Sequence, residues 1–184
     1  MKYTGEIMSF KVSPENALLG ILMTGPKHGY ELHSYMSARM NEFWQLSMSQ
    51  IYALLKRLER KGYVLSRQEQ QQNRPAKKTF SLTQTGEKRF LLWVQSPIQH
   101  VRDFRIEFMA KLFFIRELQL DLVNSLIDRQ IEVLQQKRRG IEGSKEKITD
   151  PFENLLFSFK TAQSSAILKW LHECKRFVAE TGSD

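Results

Sequence analysis

Within eight residues, Ser49, Gln50, Tyr52 and Lys56 supply two hydroxyl-bearing groups, a carboxamide and an ammonium. Such groups exchange hydrogen bonds with base edges and neutralise phosphate. Downstream, Arg74, Lys77 and Lys78 form a cationic cluster suited to phosphate or a minor groove. His28 and Tyr30 stand upstream as further polar candidates. The chemistry these sets suggest is recognition of a nucleic-acid duplex rather than bond making or breaking.

The elements that position these groups can be read locally. Ser47 is a helix N-cap and Gln50 stands three residues on, the spacing of a capping box. Ile51, Leu54, Leu55 and Leu58 follow at i, i+3, i+4 and i+7, so one stripe of the helix is apolar. The opposite stripe carries Ser49, Ala53, Lys56 and Arg60, with Tyr52 and Arg57 at its edges. A helix that enters a major groove needs polar side chains at its N-terminal end and small residues for close approach. Gly62 stops the helix as a C′ glycine. Strands are expected over Tyr63–Arg67 and Lys78–Leu82, joined by a tip at 69–77 that has no apolar residue larger than proline or alanine. Helix, strand, basic tip and return strand outline a winged helix-turn-helix. Alone, the tip fits an ordinary solvated hairpin loop as well as it fits a DNA contact; beside this helix it favours DNA.

The rest of the chain reads as helices. The first dozen residues suggest a flexible arm or a short extra segment. Ser13-Pro14 starts a helix whose apolar face is Ala17, Leu18, Ile21 and Leu22, and Gly25-Pro26 ends it. A second helix runs from His28-Gly29 to about Met40, and Thr83 caps a fourth with Phe90, Leu91 and Val94 inward. Ser96-Pro97 marks the expected boundary between a DNA-binding domain over 1–96 and a helical domain over 97–184. The expected fold class is mostly α with a small two-stranded wing. In the second half, helices are expected over about Val101–Ile115 and Leu120–Arg139, and Asp150-Pro151 opens a last one. That helix keeps an apolar period from Phe152 to Val178 over roughly 40 Å. Its stripe is too long for two neighbouring helices to cover, which predicts a homodimer through Phe159, Ile167, Trp170, Leu171 and Phe177.

Charge supports this division. Residues 1–95 carry a net +7 and residues 96–184 a net +1, with 8 basic and 2 acidic residues inside 47–78. No apolar run approaches the ~20 residues that cross a bilayer, so no membrane partner is expected. The first residues lack a signal peptide's apolar region, and Cys174 is the single cysteine; both suit the cytoplasm. His28, His33, His100 and His172 form no metal-ligand spacing, and no phosphate-binding glycine loop or nucleophile elbow occurs. Neither an enzyme nor a cofactor is implied. Cys174, on the apolar face of the last helix, reads as a small hydrophobe.

Taken together, the motifs resemble the PadR-like transcriptional regulators. They are His28-Gly29-Tyr30-Glu31-Leu32, then Ile51-Tyr52, Leu54-Leu55 and Arg57-Leu58-Glu59, then Gly62-Tyr63-Val64, Arg74-Pro75-Ala76-Lys77-Lys78, and Leu82-Thr83 with Gly86. The likeness covers roughly 14–95; beyond Pro97 it is looser, at Arg105, Glu107-Phe108 and Lys111-Leu112. The resemblance implies a cytoplasmic homodimer on a palindromic operator, usually a repressor, released by a small and often aromatic effector. By position it places Ser49, Gln50, Tyr52 and Lys56 near bases and phosphates in the major groove, and Arg74 and Lys77 at the wing. His28 and Tyr30 would reach backbone phosphate, with core packing an alternative for Tyr30.

No shared motif carries the effector residues. Phe90, Trp93, Phe104 and Phe108 could line a pocket between the domains and stack on a flat effector; aromatic residues at helical spacing are more often core. A second functional class also stays open, a winged-helix adaptor that binds proteins and has no specific DNA affinity.

Overall fold

The computed structural model describes residues 14–71, 74–143 and 149–181, with the backbone alone at 69–71, 74–77, 141 and 179–181. The expected N-terminal arm lies outside the described residues. The elements are α1 (Pro14–Leu22), β1 (Lys27–His28), α2 (Gly29–Arg39), α3 (Met48–Arg60), β2 (Val64–Gln71), β3 (Arg74–Leu82), α4 (Gln84–Gln95), α5 (Met109–Glu117), α6 (Val123–Glu142) and α7 (Pro151–Thr181). A 3-10 turn at Val101–Asp103 and a π turn at Phe104–Phe108 precede α5, where the sequence suggested one continuous helix. The fold is mostly α, as expected, with three strands rather than two in the sheet.

The chain forms two compact units. The first comprises the described residues through Val94 together with Met109–Gln119. Its centre is α1, buried almost all round: Ala17, Leu18, Leu19 and Ile21 are inaccessible to solvent. Leu32 and Met36 of α2, Ile51, Leu55 and Leu58 of α3, Val64 and Phe80 of the sheet, and Phe90, Trp93 and Val94 of α4 complete the core. Helix α5 belongs to this unit. Its Phe114 ring lies 5.5 Å from Phe90 and 6.2 Å from Trp93. Gly20 permits that approach, since a Cβ there would stand 2.6 Å from the Phe114 ring.

The sheet order is β1-β3-β2, all antiparallel. Val64 opposes Leu82, Ser66 opposes Phe80 and Arg67 opposes Thr79. Pairing continues through a bulge at Glu69–Gln71 to Gln71 opposite Arg74, so both strands outrun the sequence expectation. The other edge of β3 takes up Lys27 opposite Phe80 and His28 opposite Thr79. Thr83 closes the sheet onto α4. Its hydroxyl donates to Gly62 O at 2.7 Å and accepts from Gly86 N at 3.0 Å, while its amide donates to Tyr63 O at 3.1 Å.

The second unit comprises Gln95–Phe108 and the described residues from Leu120 onward. Leu126, Ile127, Ile131 and Leu134 of α6 and Leu168 and Leu171 of α7 are buried, and the two helices pack together. Lys175 meets Asp128 at 2.5 Å between them. The fully buried Gln130 accepts from Ile98 N at 2.7 Å and donates to Ile98 O at 3.2 Å, pinning the segment after Pro97 to α6. Lys137 donates to Gln99 O beside it. Asp150 caps α7, its Oδ1 accepting from Glu153 N at 2.9 Å.

Candidate nucleic-acid interface

The N-terminus of α3 is held as its sequence spacing requires. The Ser47 amide donates to Gln50 Oε1 at 2.8 Å, and Ser47 Oγ accepts from Gln50 N at 3.3 Å. The Gln50 carboxamide oxygen is therefore committed to the cap. Ser49 stays exposed, its hydroxyl 2.9 Å from Ser47 Oγ. Ser49, Tyr52, Ala53, Lys56 and Arg60 are all exposed, while Ile51, Leu54, Leu55 and Leu58 are buried. The helix thus turns its apolar stripe into the unit and its polar, basic stripe to solvent. It ends where Gly62 adopts φ 72°, a left-handed conformation that costs glycine little.

Two carboxylates fix this helix: Glu15, which the sequence reading passed over, and Glu59, which entered it only within the motif Arg57-Leu58-Glu59. Glu15 is buried in α1, pairs with Arg57, and lies 3.3 and 3.5 Å from Lys61 Nζ through its two oxygens. A buried acid placed between two cations anchors the back of α3. It also offsets one of the positive charges counted in 47–78, shared between Arg57 and Lys61. Glu59, in the last turn, accepts from the Ser66 hydroxyl of β2 and meets Lys78 Nζ of β3 at 3.2 Å. The Ser66 hydrogen bond, followed by Lys78, holds the Glu59 carboxyl below the ordinary glutamate range against a smaller opposing effect of burial.

The remaining candidates fall around this helix. Tyr52 packs its ring edge-on to Phe80 at 6.1 Å and against Gly29, where a Cβ would stand 2.5 Å from the phenol oxygen. Its exposed phenol therefore depends on the absence of a side chain at the start of α2. His28 Nδ1 lies 3.1 Å from Thr79 Oγ1, and its amide donates to Glu31 Oε2 at 2.6 Å. Tyr30 is 70% exposed, which excludes core packing and leaves its hydroxyl facing solvent. Arg74 and Lys77 lie on β3 opposite Gln71 and Glu69; their side chains lie outside the described residues.

The aromatic candidates form separate clusters. Phe90 and Trp93 are buried with Phe114 in the first unit, where Lys111 Nζ lies 5.3 Å from the Trp93 ring centre. In the second unit, Phe104 stacks on Phe108 at 4.6 Å, and Trp170 meets both edge-on at 5.8 and 6.3 Å. Leu171 is buried within that unit and Ile167 is half-buried. Phe159 and Phe177 are exposed.

Among the described residues, no group of three or more His, Cys, Asp or Glu side chains could hold a metal ion, and no helix is long and apolar enough to cross a membrane.

A family model for the transcriptional regulator PadR-like family matches residues 18–91, the stretch from α1 through the wing into α4. The negative transcriptional regulator PadR of Bacillus subtilis is 34% identical over 145 residues, covering 77% of this chain and 78% of that protein. Among solved structures, Bacillus subtilis PadR with operator DNA is similar at 28% identity and a TM-score of 0.43, over 89% of this chain and 98% of that one. The same regulator with p-coumaric acid is similar at 27% identity and a TM-score of 0.41, over 92% and 99%. The sequence match alone, at that identity and over more than three-quarters of both proteins, is sufficient: the chain belongs to the PadR-like family of transcriptional regulators.

Proposed function

We propose that this regulator is a non-enzymatic cytoplasmic repressor that binds a near-palindromic operator as a homodimer. The observation that carries the DNA reading is α3 itself. Its N-terminus is capped, its apolar stripe is buried, and Ser49, Tyr52, Ala53 and Lys56 face solvent together. Small and hydrogen-bonding groups at that end fit a major groove, and Lys56 and Arg60 fit the flanking phosphates. Arg74 and Lys77 on the wing, with His28 and Tyr30 at the start of α2, extend the contact along the backbone. Repression follows the role in the name of the Bacillus subtilis relative.

A second copy would cover the exposed apolar residues of α7. Phe152, Leu155 and Phe159 are 65, 64 and 63% exposed, and with Leu156 they follow the i, i+3, i+4, i+7 spacing of one helical face. Such a stripe marks an interaction surface. Release of the operator by a small aromatic effector belongs to the same proposal, with Trp93 as its fluorescent reporter.

Selection of bound duplexes from a random pool tests the reading directly. An enriched, two-fold-related sequence is expected. No preference over random duplex at moderate salt would sink it, and salt-insensitive capture of an acidic protein partner would favour an adaptor instead.

A further inference from the structure

Helix α5 reads Met109-Ala110-Lys111-Leu112-Phe113-Phe114-Ile115-Arg116-Glu117, and its contacts are graded along its length. Ala110, Lys111, Phe114 and Ile115 are buried against the first unit's core. Its last residue does something else. Glu117 Oε1 accepts from the Tyr35 hydroxyl at 3.0 Å, and Oε2 pairs with Arg39 Nη2 at 2.8 Å. Each carboxylate oxygen thus holds one residue of α2, four positions apart on one helical face. The Arg39 guanidinium is fixed from other sides as well, 5.5 Å from the Phe113 ring centre and 5.9 Å from that of Tyr35.

The far end of α2 leads to the proposed DNA contacts. Its N-terminus continues from β1, which pairs with β3, and His28 meets Thr79 there. Gly29 abuts Tyr52, and α2 packs on α3. Helix α2 is therefore a rod held at one end by Glu117 and at the other by the wing and the groove helix.

We propose that Glu117 is a positioning residue for operator recognition: by gripping Tyr35 and Arg39 it sets α2, and through α2 the relative placement of α3 and the wing. The inference rests on the DNA-binding reading above. A carboxylate that only stabilised the fold would change all DNA binding alike when neutralised. One that sets the reading geometry would change discrimination.

The test uses the full chain and a duplex selected from a random pool by the wild-type protein. For Glu117→Gln, affinity for that duplex is expected to fall about ten-fold, the scale of a lost charge-assisted hydrogen bond, with affinity for random duplex unchanged. Tyr35→Phe removes one hydroxyl and should give a smaller loss in the same sense, which keeps the test open if Glu117→Gln does not fold. Equal losses on both duplexes, or unchanged discrimination in both variants, would overturn the inference. A wild-type protein that selects no duplex overturns the DNA reading instead.

Discussion

Lys78 of the return strand places its ammonium 3.2 Å from the Glu59 carboxylate, so the wing and the last turn of α3 share one ion pair. The Ser66 hydroxyl completes the arrangement from the outgoing strand. Helix α3 and the wing are thus joined by side chains as well as by the chain itself.

That junction gives a pH dependence. The Glu59 carboxyl lies below its ordinary range in the fold, first through Ser66 and then through Lys78. Its contribution is present above the unfolded glutamate value and is lost as pH falls through the lowered folded value. Thermal melts should therefore show an acid-side loss between these values that is weaker in Glu59→Gln. At neutral pH that variant should lose on the order of 1 kcal/mol.

Tyr35 gives the opposite limb. Burial, and then the Glu117 carboxylate, push its phenol up to about 12. A raised value means stability present below the unfolded tyrosine value near 10 and lost as pH rises toward the folded one. Tyrosinate absorbance should show a late-titrating component that disappears in Tyr35→Phe.

Gly29→Ala separates stability from recognition. The new Cβ would stand 2.5 Å from the Tyr52 phenol, the far end of a side chain that can swing aside. Melting should change little, while affinity for the selected duplex should fall because Tyr52 is displaced. An unchanged affinity would remove Tyr52 from the interface.

Phosphate contacts should show in salt titrations. Lys56→Ala and Arg74→Ala should each weaken binding to every duplex and reduce the log–log salt slope by about 0.9. A slope that stays at the wild-type value would remove that residue from the backbone contacts.

Phe159→Arg should lower the mass measured by sedimentation toward that of one chain and weaken operator binding with it. A variant that sediments as wild type would place the interface elsewhere.

Much of this was legible because it is local. The capping box of Ser47 and Gln50, the stop at Gly62 and the cap at Thr83 depend on neighbours a few residues away, and the sequence carries them in full. Strand β1 was missed because two residues have no periodicity; its partners, Thr79 and Phe80, lie far along the chain. The strands also extend into the polar segments around Glu69 and Arg74, since ladder pairing uses backbone groups that side-chain type does not reveal. Glu15 was passed over although an acid within an apolar helix is a usable signal. Its partners Arg57 and Lys61 appear only once α1 lies against α3. Gln130 was invisible for the same reason, because a buried carboxamide that serves the backbone at Ile98 looks like any polar residue on a helix.

Helix α5 is threaded into the core of one unit while the chain on both sides of it belongs to the other. A cut or graft at Pro97 would therefore take Phe114 away from Phe90 and Trp93, and Glu117 away from Tyr35 and Arg39. The two halves are not interchangeable parts. Chimaeras made at that proline would inherit a mismatched core, so a new C-terminal half can be acquired only if α5 and its receiving surface change together.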